Sequence, residues 1–302
     1  MSDLITTIAE LRARLDAERA AGRLVGFVPT MGYLHDGHAA LVRAARAECD
    51  VVVTSIFVNP LQFAPEEDLA AYPRDLERDL AIIGAAGGDL VFHPDGDEMY
   101  PAPVATTVTV AGLSERFEGA SRPTHFAGVA TVVTKLFAIV GPCRAYLGEK
   151  DYQQLAVVRR LAADLSLPVE VVGVPIVREV DGLAMSSRNV YLSEAERAAA
   201  PSLYAALCAG RDAVLAGTTD AATVEAAMRA VVDAAPLIDL DYAAVVDAAT
   251  LTPVGHLVGE VRLLIAGRLG RPRLLDNIGV TVPTTRPAGA SGAVADVTDR
   301  DG

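Results

Sequence analysis

The stretch Pro29-Thr30-Met31-Gly32-Tyr33-Leu34-His35-Asp36-Gly37-His38 decides how the rest of the chain reads. The apolar run before it, Leu24-Val25-Gly26-Phe27-Val28, has the composition of a buried strand. After it, Ala40, Leu41, Val42 and Ala45 recur with helical spacing. Two histidines three residues apart therefore sit where a strand hands over to a helix. A helix start carries unpaired N–H groups and the positive end of the helix dipole, so it favours anions. The spacing puts both imidazoles on one helix face. Gly37 has no Cβ, so a bulky ligand can lie against the backbone there. A histidine in such a place is also often a purely structural residue, and His-x-Gly-His by itself leaves both readings open. The strand before it and the helix after it weight the balance toward a phosphate-binding loop, and specifically toward a nucleoside triphosphate.

Outward from this loop, residues 3–21 (Leu4, Ile8, Leu11, Leu15) predict a helix ended by Gly22. Strands are expected over 24–29 and 50–58, the second stopped by Asn59-Pro60. Helices are expected over 38–48 and 74–86, the latter closed by Gly87-Gly88, and Asp89-Leu90-Val91-Phe92 reads as the next strand. Further strands are expected at 105–110, 144–148 and 169–177, with helices over 127–140 and 151–165. Strands that are apolar throughout and alternate with helices imply a parallel sheet covered on both faces. Its ligand belongs outside the carboxyl ends of the strands. The His35/His38 loop and the Asn59-Pro60 loop both fall there.

The character changes after Ser193. Ser193-Glu194-Ala195-Glu196 is a capping box opening an Ala-rich helical region to residue 216, which Pro201 kinks or splits. An amphipathic helix over 221–235 and strands at 241–246, 261–266 and 273–280 follow. The fold class is α/β: a doubly wound parallel sheet over 1–177 with a second, smaller α+β C-terminal domain over 178–283. The last stretch, 284–302, is rich in Pro, Gly, Ala and Asp without periodicity and reads as a disordered tail.

Composition narrows the function. With 302 residues, 51% of them hydrophobic, and a mean hydropathy of +0.32, the chain is long enough for two ordinary domains. No run of about 18 apolar residues is present, which argues against a membrane span. The N-terminus has neither a basic n-region nor an apolar h-region, so no signal peptide is expected. Cys49, Cys143 and Cys208 are odd in number and widely spaced, forming neither a disulfide framework nor a metal motif; a reducing cytoplasm fits. Acidic residues outnumber basic ones 39 to 26, for a net charge of −13, and no Lys/Arg block stands out. A nucleic-acid partner is thereby disfavoured. An anionic small molecule would need positive charge concentrated at its site.

Four further segments carry polar chemistry. Phe57-Val58-Asn59-Pro60-Leu61-Gln62-Phe63 places two uncharged amides, Asn59 and Gln62, at a strand end, suited to a hydroxyl, carboxylate or amine; a plain Asn-Pro turn is the alternative. Gly148-Glu149-Lys150-Asp151-Tyr152-Gln153-Gln154 puts a lysine at a strand-to-helix turn, where it faces either a phosphate or solvent. Gly182-Leu183-Ala184-Met185-Ser186-Ser187-Arg188-Asn189 combines hydroxyls with a guanidinium, good phosphate ligands if the loop is more than an ordinary turn. Thr124-His125-Phe126-Ala127-Gly128 carries a third histidine, near the site or an interface.

As a set, in order and spacing, these segments resemble the pantoate–β-alanine ligase family. They are joined in this by Arg122-Pro123-Thr124-His125 and by Arg273-Leu274-Leu275-Asp276-Asn277. The resemblance covers about residues 1–283; His-x-Gly-His alone would indicate only the wider nucleotidyl-transferase superfamily. The resemblance implies a Rossmann-like N-terminal domain, a smaller C-terminal lid, Mg²⁺ and a homodimer. It also implies a two-step ligation. The carboxylate of (R)-pantoate attacks the α-phosphate of ATP, giving pantoyl adenylate and pyrophosphate; the amine of β-alanine then displaces AMP.

Carried over by position, Met31, Gly32, Tyr33, Leu34, His35, Asp36, Gly37 and His38 would contact ATP, with His38 the family's proton donor. Gly148, Glu149, Lys150 and Asp151, together with Met185, Ser186, Ser187 and Arg188, would be ATP-binding, and Val177 would touch the adenine through its backbone. Gln62 and Gln154 would hold pantoate, Gln62 also lying near β-alanine. Of these, His35, His38, Lys150 and Arg188 are the candidate catalytic residues, because adenylyl transfer asks chiefly for charge stabilisation and positioning. Asp79, in Arg74-Asp75-Leu76-Glu77-Arg78-Asp79, is the candidate Mg²⁺ ligand, although Mg²⁺ often enters bound mainly to phosphates. The alternatives are another nucleotidylyltransferase acting on a different small acid, and a non-catalytic nucleotide-binding regulator.

Overall fold

A computed structural model of the chain describes residues 2–63, 69 and 72–283. The expected tail, 284–302, lies outside the described residues.

Among the described residues, one sheet is formed by β1 (Asp3–Ile5), β2 (Val25–Thr30), β3 (Val51–Ile56), β4 (Leu90–Phe92), β5 (Cys143–Gly148) and β6 (Val169–Val174), in the order β1-β4-β3-β2-β5-β6. Every pairing in it is parallel. A second sheet is an antiparallel meander of β7 (Asp239–Asp247), β8 (Glu260–Arg268) and β9 (Arg273–Thr281). In chain order the helices are α1 (Ile8–Ala20), α2 (Asp36–Glu48), α3 (Leu76–Ala86), α4 (Gly96–Met99), α5 (Glu118–Ser121), α6 (His125–Val140), α7 (Tyr152–Asp164), α8 (Glu194–Ala199), α9 (Ser202–Leu215) and α10 (Ala221–Asp233). This is the expected Rossmann-like α/β architecture with a smaller α+β part after it.

Alternation along the parallel strands sends successive side chains to opposite faces. Val25, Phe27, Val53 and Phe92 pack with α1, α6 and α7 through Leu11, Leu15, Phe137 and Leu161. Val28, Val52 and Tyr146 pack on the other face with Val42 and Ala45 of α2. The strand order reverses between β2 and β5, the position where an open α/β sheet leaves a crevice at its carboxyl edge. The two segments that leave those strands are 31–35 and 149–151. In the C-terminal part, α9 and α10 cover one face of the meander through Leu207, Val214, Val224 and Met228. Pro201 separates α8 from α9.

Two expectations need correction. Residues 3–21 are not one helix: Asp3–Ile5 pair with Leu90–Phe92, and α1 starts only after Thr7, whose hydroxyl accepts the Glu10 N–H. Residues 105–110 form no strand. The outer edge of β4 is taken by β1, and the Val108 N–H goes instead to the Thr131 hydroxyl of α6, at 2.9 Å. Elsewhere the elements fall within a few residues of the expected bounds; the strand over 169–177 ends at Val174.

α6 bears on the site through Gly128. A Cβ there would run into the Leu61 carbonyl and lie 2.6 Å from the Gln62 Cα, so the 59–63 turn rests on bare helix backbone. Gly128→Ala would gain helix propensity of about 1 kcal/mol. The clash is with backbone, which cannot swing aside, and overpacking of this kind costs about 1–3 kcal/mol or more. We expect Gly128→Ala to lower the melting temperature by several degrees and to displace Gln62; an unchanged or higher melting temperature by calorimetry would show that the turn yields.

Candidate active site

The loop after β2 is held in an unusual backbone shape. Gly32 (φ +85°) and Tyr33 (φ +53°) are both left-handed. Asp79 of α3 holds that shape: its Oδ2 accepts the Tyr33 N–H at 2.8 Å and its Oδ1 accepts the Leu34 N–H at 2.7 Å. Leu34 is fully buried against Ile56, Ile83 and Val91, which plugs the loop into the sheet. Asp79 is itself almost fully buried; burial raises its carboxyl, and the bonds from Leu34 and Tyr33 pull it back down.

This loop delivers the chain to α2 with His35 as N-cap. The Gly37 N–H donates to His35 Nδ1 at 3.1 Å, and the His35 N–H donates to His38 Nδ1 at 3.2 Å. The two rings lie 4.1 Å apart between centroids. They form a reciprocal capping box in which imidazoles do the work usually given to Ser and Glu. The arrangement fixes the tautomers. Each Nδ1 is an acceptor, so each proton sits on Nε2, and no described residue bonds to either Nε2. Burial lowers His35 to about 4, with Lys150 adding to the effect. Burial, then the neighbouring His35, lowers His38 to about 3. Both are neutral donors at neutral pH. Gly37 is required here for a reason beyond ligand access: a Cβ would lie 2.8 Å from the His35 ring.

Across the crevice, β5 ends in a 3₁₀ turn, Glu149–Asp151, that leads into α7. Lys150 is largely buried and lies 3.6 Å from Asp151. Burial favours the neutral Asp151, but Lys150, then Arg188 and His125, outweigh it and hold the carboxyl below its usual range. The third wall is the segment around Ser186, whose hydroxyl accepts the Arg188 N–H at 3.2 Å. The Met185 N–H bonds back to the Val177 carbonyl at 3.0 Å. At the far end, Gln62 donates from Nε2 to the Met31 sulfur at 3.1 Å, and the His125 Nδ1–H donates to the Gln62 carbonyl at 3.1 Å.

These walls enclose a cleft of about 670 Å³. Of the residues singled out from sequence, Met31, His35, Gly37, His38, Gln62, Gly148, Lys150, Asp151, Gln154, Val177, Met185, Ser186, Ser187 and Arg188 line it. Gly32, Tyr33, Leu34, Asp36, Glu149, Asn59 and Asp79 do not. Asn59 stands behind Gln62 with its amide fully used: Nδ2 donates to Gln62 Oε1 and the Gly128 carbonyl, and Oδ1 accepts from Tyr100 and the Leu61 N–H. It aims Gln62 rather than facing the cleft. Asp79 similarly faces loop backbone. The described residues contain no group of three His, Cys, Asp or Glu side chains able to cage a metal ion.

The cleft also gathers residues that had not been singled out. Arg268 and Arg271 reach it from the β8–β9 hairpin, and join Arg122 and Arg273 of the segments named above. Six basic side chains and one carboxylate, Asp151, therefore line the cleft of a chain whose net charge is −13. The sequence signal was three arginines within Arg268-Leu269-Gly270-Arg271-Pro272-Arg273.

Comparison with known proteins shows the family and the fold. The sequence profile of the family described as pantoate-beta-alanine ligase matches residues 3–279. A pantothenate synthetase from Moorella thermoacetica is 52% identical over 280 residues, covering 93% of this chain and 99% of the relative. The crystal structure of pantothenate synthetase from Thermus thermophilus superposes with a TM-score of 0.87 at 55% identity, covering 91% of this chain and 98% of that one. The pantoate-beta-alanine ligase from Francisella tularensis, complexed with beta-gamma ATP and beta-alanine, gives 0.74 at 30% identity over 92% of this chain and 97% of its own.

The histidine cap makes a spectroscopic prediction. Both folded-state values lie below the ordinary 6.5, so the unfolded chain takes up protons first. The stability tied to the neutral rings is complete above about 6.5 and lost as pH falls toward 4. Imidazole ¹⁵N spectra of the ligand-free protein are expected to show His35 and His38 as neutral Nε2–H tautomers at pH 6, titrating below pH 5. A midpoint near 6.5 for either would overturn the reciprocal cap.

Proposed function

The chain belongs to the pantoate-β-alanine ligase family, and from that premise we propose how its own cleft condenses (R)-pantoate with β-alanine, using ATP, by way of pantoyl adenylate. The observation that carries the mechanism is the pair of neutral Nε2–H donors at the start of α2, facing Lys150 and Arg188 across one cleft. In the first step a pantoate carboxylate oxygen bonds to the α-phosphorus of ATP as the bond to the β-phosphate oxygen breaks, and pyrophosphate leaves. In the second, the β-alanine nitrogen attacks the acyl carbon, AMP leaves with the bonding pair, and the nitrogen gives up a proton.

Neither step requires a strong acid from the protein. His38, lowered to about 3, is a poor proton source, so in this reading it donates a hydrogen bond to phosphate oxygen as negative charge shifts. His35, Lys150 and Arg188 share the same charge, with Ser186 and Ser187 beside Arg188. Val177 offers backbone for the adenine. Gln62 and Gln154, being neutral, hold pantoate without an ion pair that would blunt its carboxylate as a nucleophile. Residues 1–177 make the nucleotide and pantoate body, and 178–283 the lid.

Mg²⁺ belongs to this proposal as the partner of the ATP phosphates. The described residues offer no all-protein cage, and Asp79 serves the loop, so the ion would be held mainly by phosphate oxygens and water. No described helix is long and apolar enough to cross a membrane. The three cysteines are unpaired, in keeping with a reducing cytoplasm. A homodimer remains part of the proposal on family resemblance.

The test is exchange of labelled pyrophosphate into ATP, together with AMP release, omitting each acid in turn. Exchange is expected with pantoate alone and AMP only with both acids; exchange driven by a different acid would favour another nucleotidylyltransferase. His38→Ala is expected to slow exchange by about a hundredfold or more, the scale for one preorganised donor. Near-normal steady-state turnover would remove His38 from the mechanism.

A further inference from the structure

The cleft's two phosphate-facing segments, the Lys150 turn and the Arg188 loop, are both tied to one dipeptide of the C-terminal sheet. Asp276 and Asn277 are neighbours on β9, 4% and 2% exposed. As consecutive strand residues they point to opposite faces.

Asn277 takes the turn. Its Nδ2 donates to the Glu149 carbonyl at 2.9 Å and to the Lys150 carbonyl at 2.8 Å, using both amide hydrogens on the two carbonyls that flank the Lys150 position. Its Oδ1 accepts from Arg262 Nε at 2.7 Å. Arg262 in turn reaches Glu149 Oε2 at 3.0 Å and lies over the Tyr152 ring at 3.8 Å. The 3₁₀ turn has no side-chain cap of its own. Its carbonyls are satisfied from a strand more than a hundred residues away.

Asp276 takes the loop. Its two oxygens pair with Arg178 Nη1 at 2.6 Å and Nη2 at 3.0 Å. Arg178 also donates to the Gly182 carbonyl at 3.0 Å and stacks on Tyr204 of α9 at 3.8 Å. It sits at the base of the segment that Val177 and Met185 close on the way to Arg188.

We propose that Asp276 and Asn277 are positioning residues for phosphate handling, setting Lys150 and Arg188 at a fixed separation from one rigid strand. The proposal rests on the ligase reading above. Neither residue lines the cleft, so each acts through another. The C-terminal sheet is then part of the phosphate site's frame as well as a cover over it.

Double-mutant cycles read by pantoate-dependent pyrophosphate exchange test this. Asn277→Ala is expected to lower kcat by about tenfold or more, since ångström-scale misplacement of a catalytic group has effects of that size. The KM for pantoate should change less than kcat, because Gln62 is held by Asn59 and Met31, away from the turn. Combined with Lys150→Ala, Asn277→Ala should add almost nothing, because its effect runs through that lysine. Asn277→Asp keeps the acceptor for Arg262 but turns oxygen toward both carbonyls, and is expected to be as impaired as Asn277→Ala. Asp276→Asn with Arg188→Ala forms the matching cycle.

Additive losses in both cycles, or a lowered melting temperature with unchanged kcat, would overturn the proposal. Should Asn277→Ala not fold, Asn277→Ser, whose hydroxyl keeps one donor, carries the same cycle. Wild-type protein without pantoate-dependent exchange would instead sink the ligase reading.

Discussion

The site depends on which ring nitrogen each histidine gives to the backbone. Because His35 and His38 both spend Nδ1 on capping α2, both must present Nε2–H outward. One pair of bonds thus closes the helix start, chooses the tautomers, and leaves an Nε2–H donor on each of two residues that line the same cleft. The structural and functional readings of a histidine at a helix start are usually rivals. Here they fall on opposite edges of one ring. The neutrality of the pair follows first from burial, to which Lys150 adds at His35 and the neighbouring ring, 4.1 Å away between centroids, adds at His38.

Around that fixed point the protein arranges charge against its own average. A polyacidic surface repels anions at long range, while the cleft wall carries Lys150, Arg188, Arg268 and Arg271. Salt screens the former over about 8 Å at physiological ionic strength, and the enclosed cleft is screened much less. Local field therefore decides what binds. At Gln62, held by Asn59 and Met31, the neutral amide lies close to Arg122, whose guanidinium donates to the Gln62 backbone carbonyl at 3.4 Å.

Much of this was legible in the residue order. A strand that ends in His-x-Gly-His and a strand that ends in Gly-Glu-Lys-Asp announce a parallel sheet and its carboxyl edge, because apolar runs and helix starts are local signals. Direction is not local. Asn59 and Asp79 have the right chemistry beside the right loop, yet they face inward: the amide of Asn59 has four protein partners, and Asp79 has two loop amides to satisfy. Residues 105–110 have strand composition, but the outer edge of β4 belongs to Asp3–Ile5, which itself looked like the first turn of a helix. The hairpin arginines were the clearest miss. They lie in the antiparallel sheet, and only the folding of that sheet over the parallel one brings residue 271 near residue 188.

The dependence of the Lys150 turn on Asn277 has a consequence for how the protein comes into being. The parallel sheet, with its own core, is synthesised by residue 174, and most of the loops that line the cleft are present by residue 188. The amide that satisfies the Glu149 and Lys150 carbonyls arrives about ninety residues later, on the final strand of the meander. During translation at about 5–20 residues per second, the nascent chain spends several seconds with its parallel sheet built and the Lys150 turn unbraced. The bracing of this turn is thus a property of the finished chain, gained almost at the last strand.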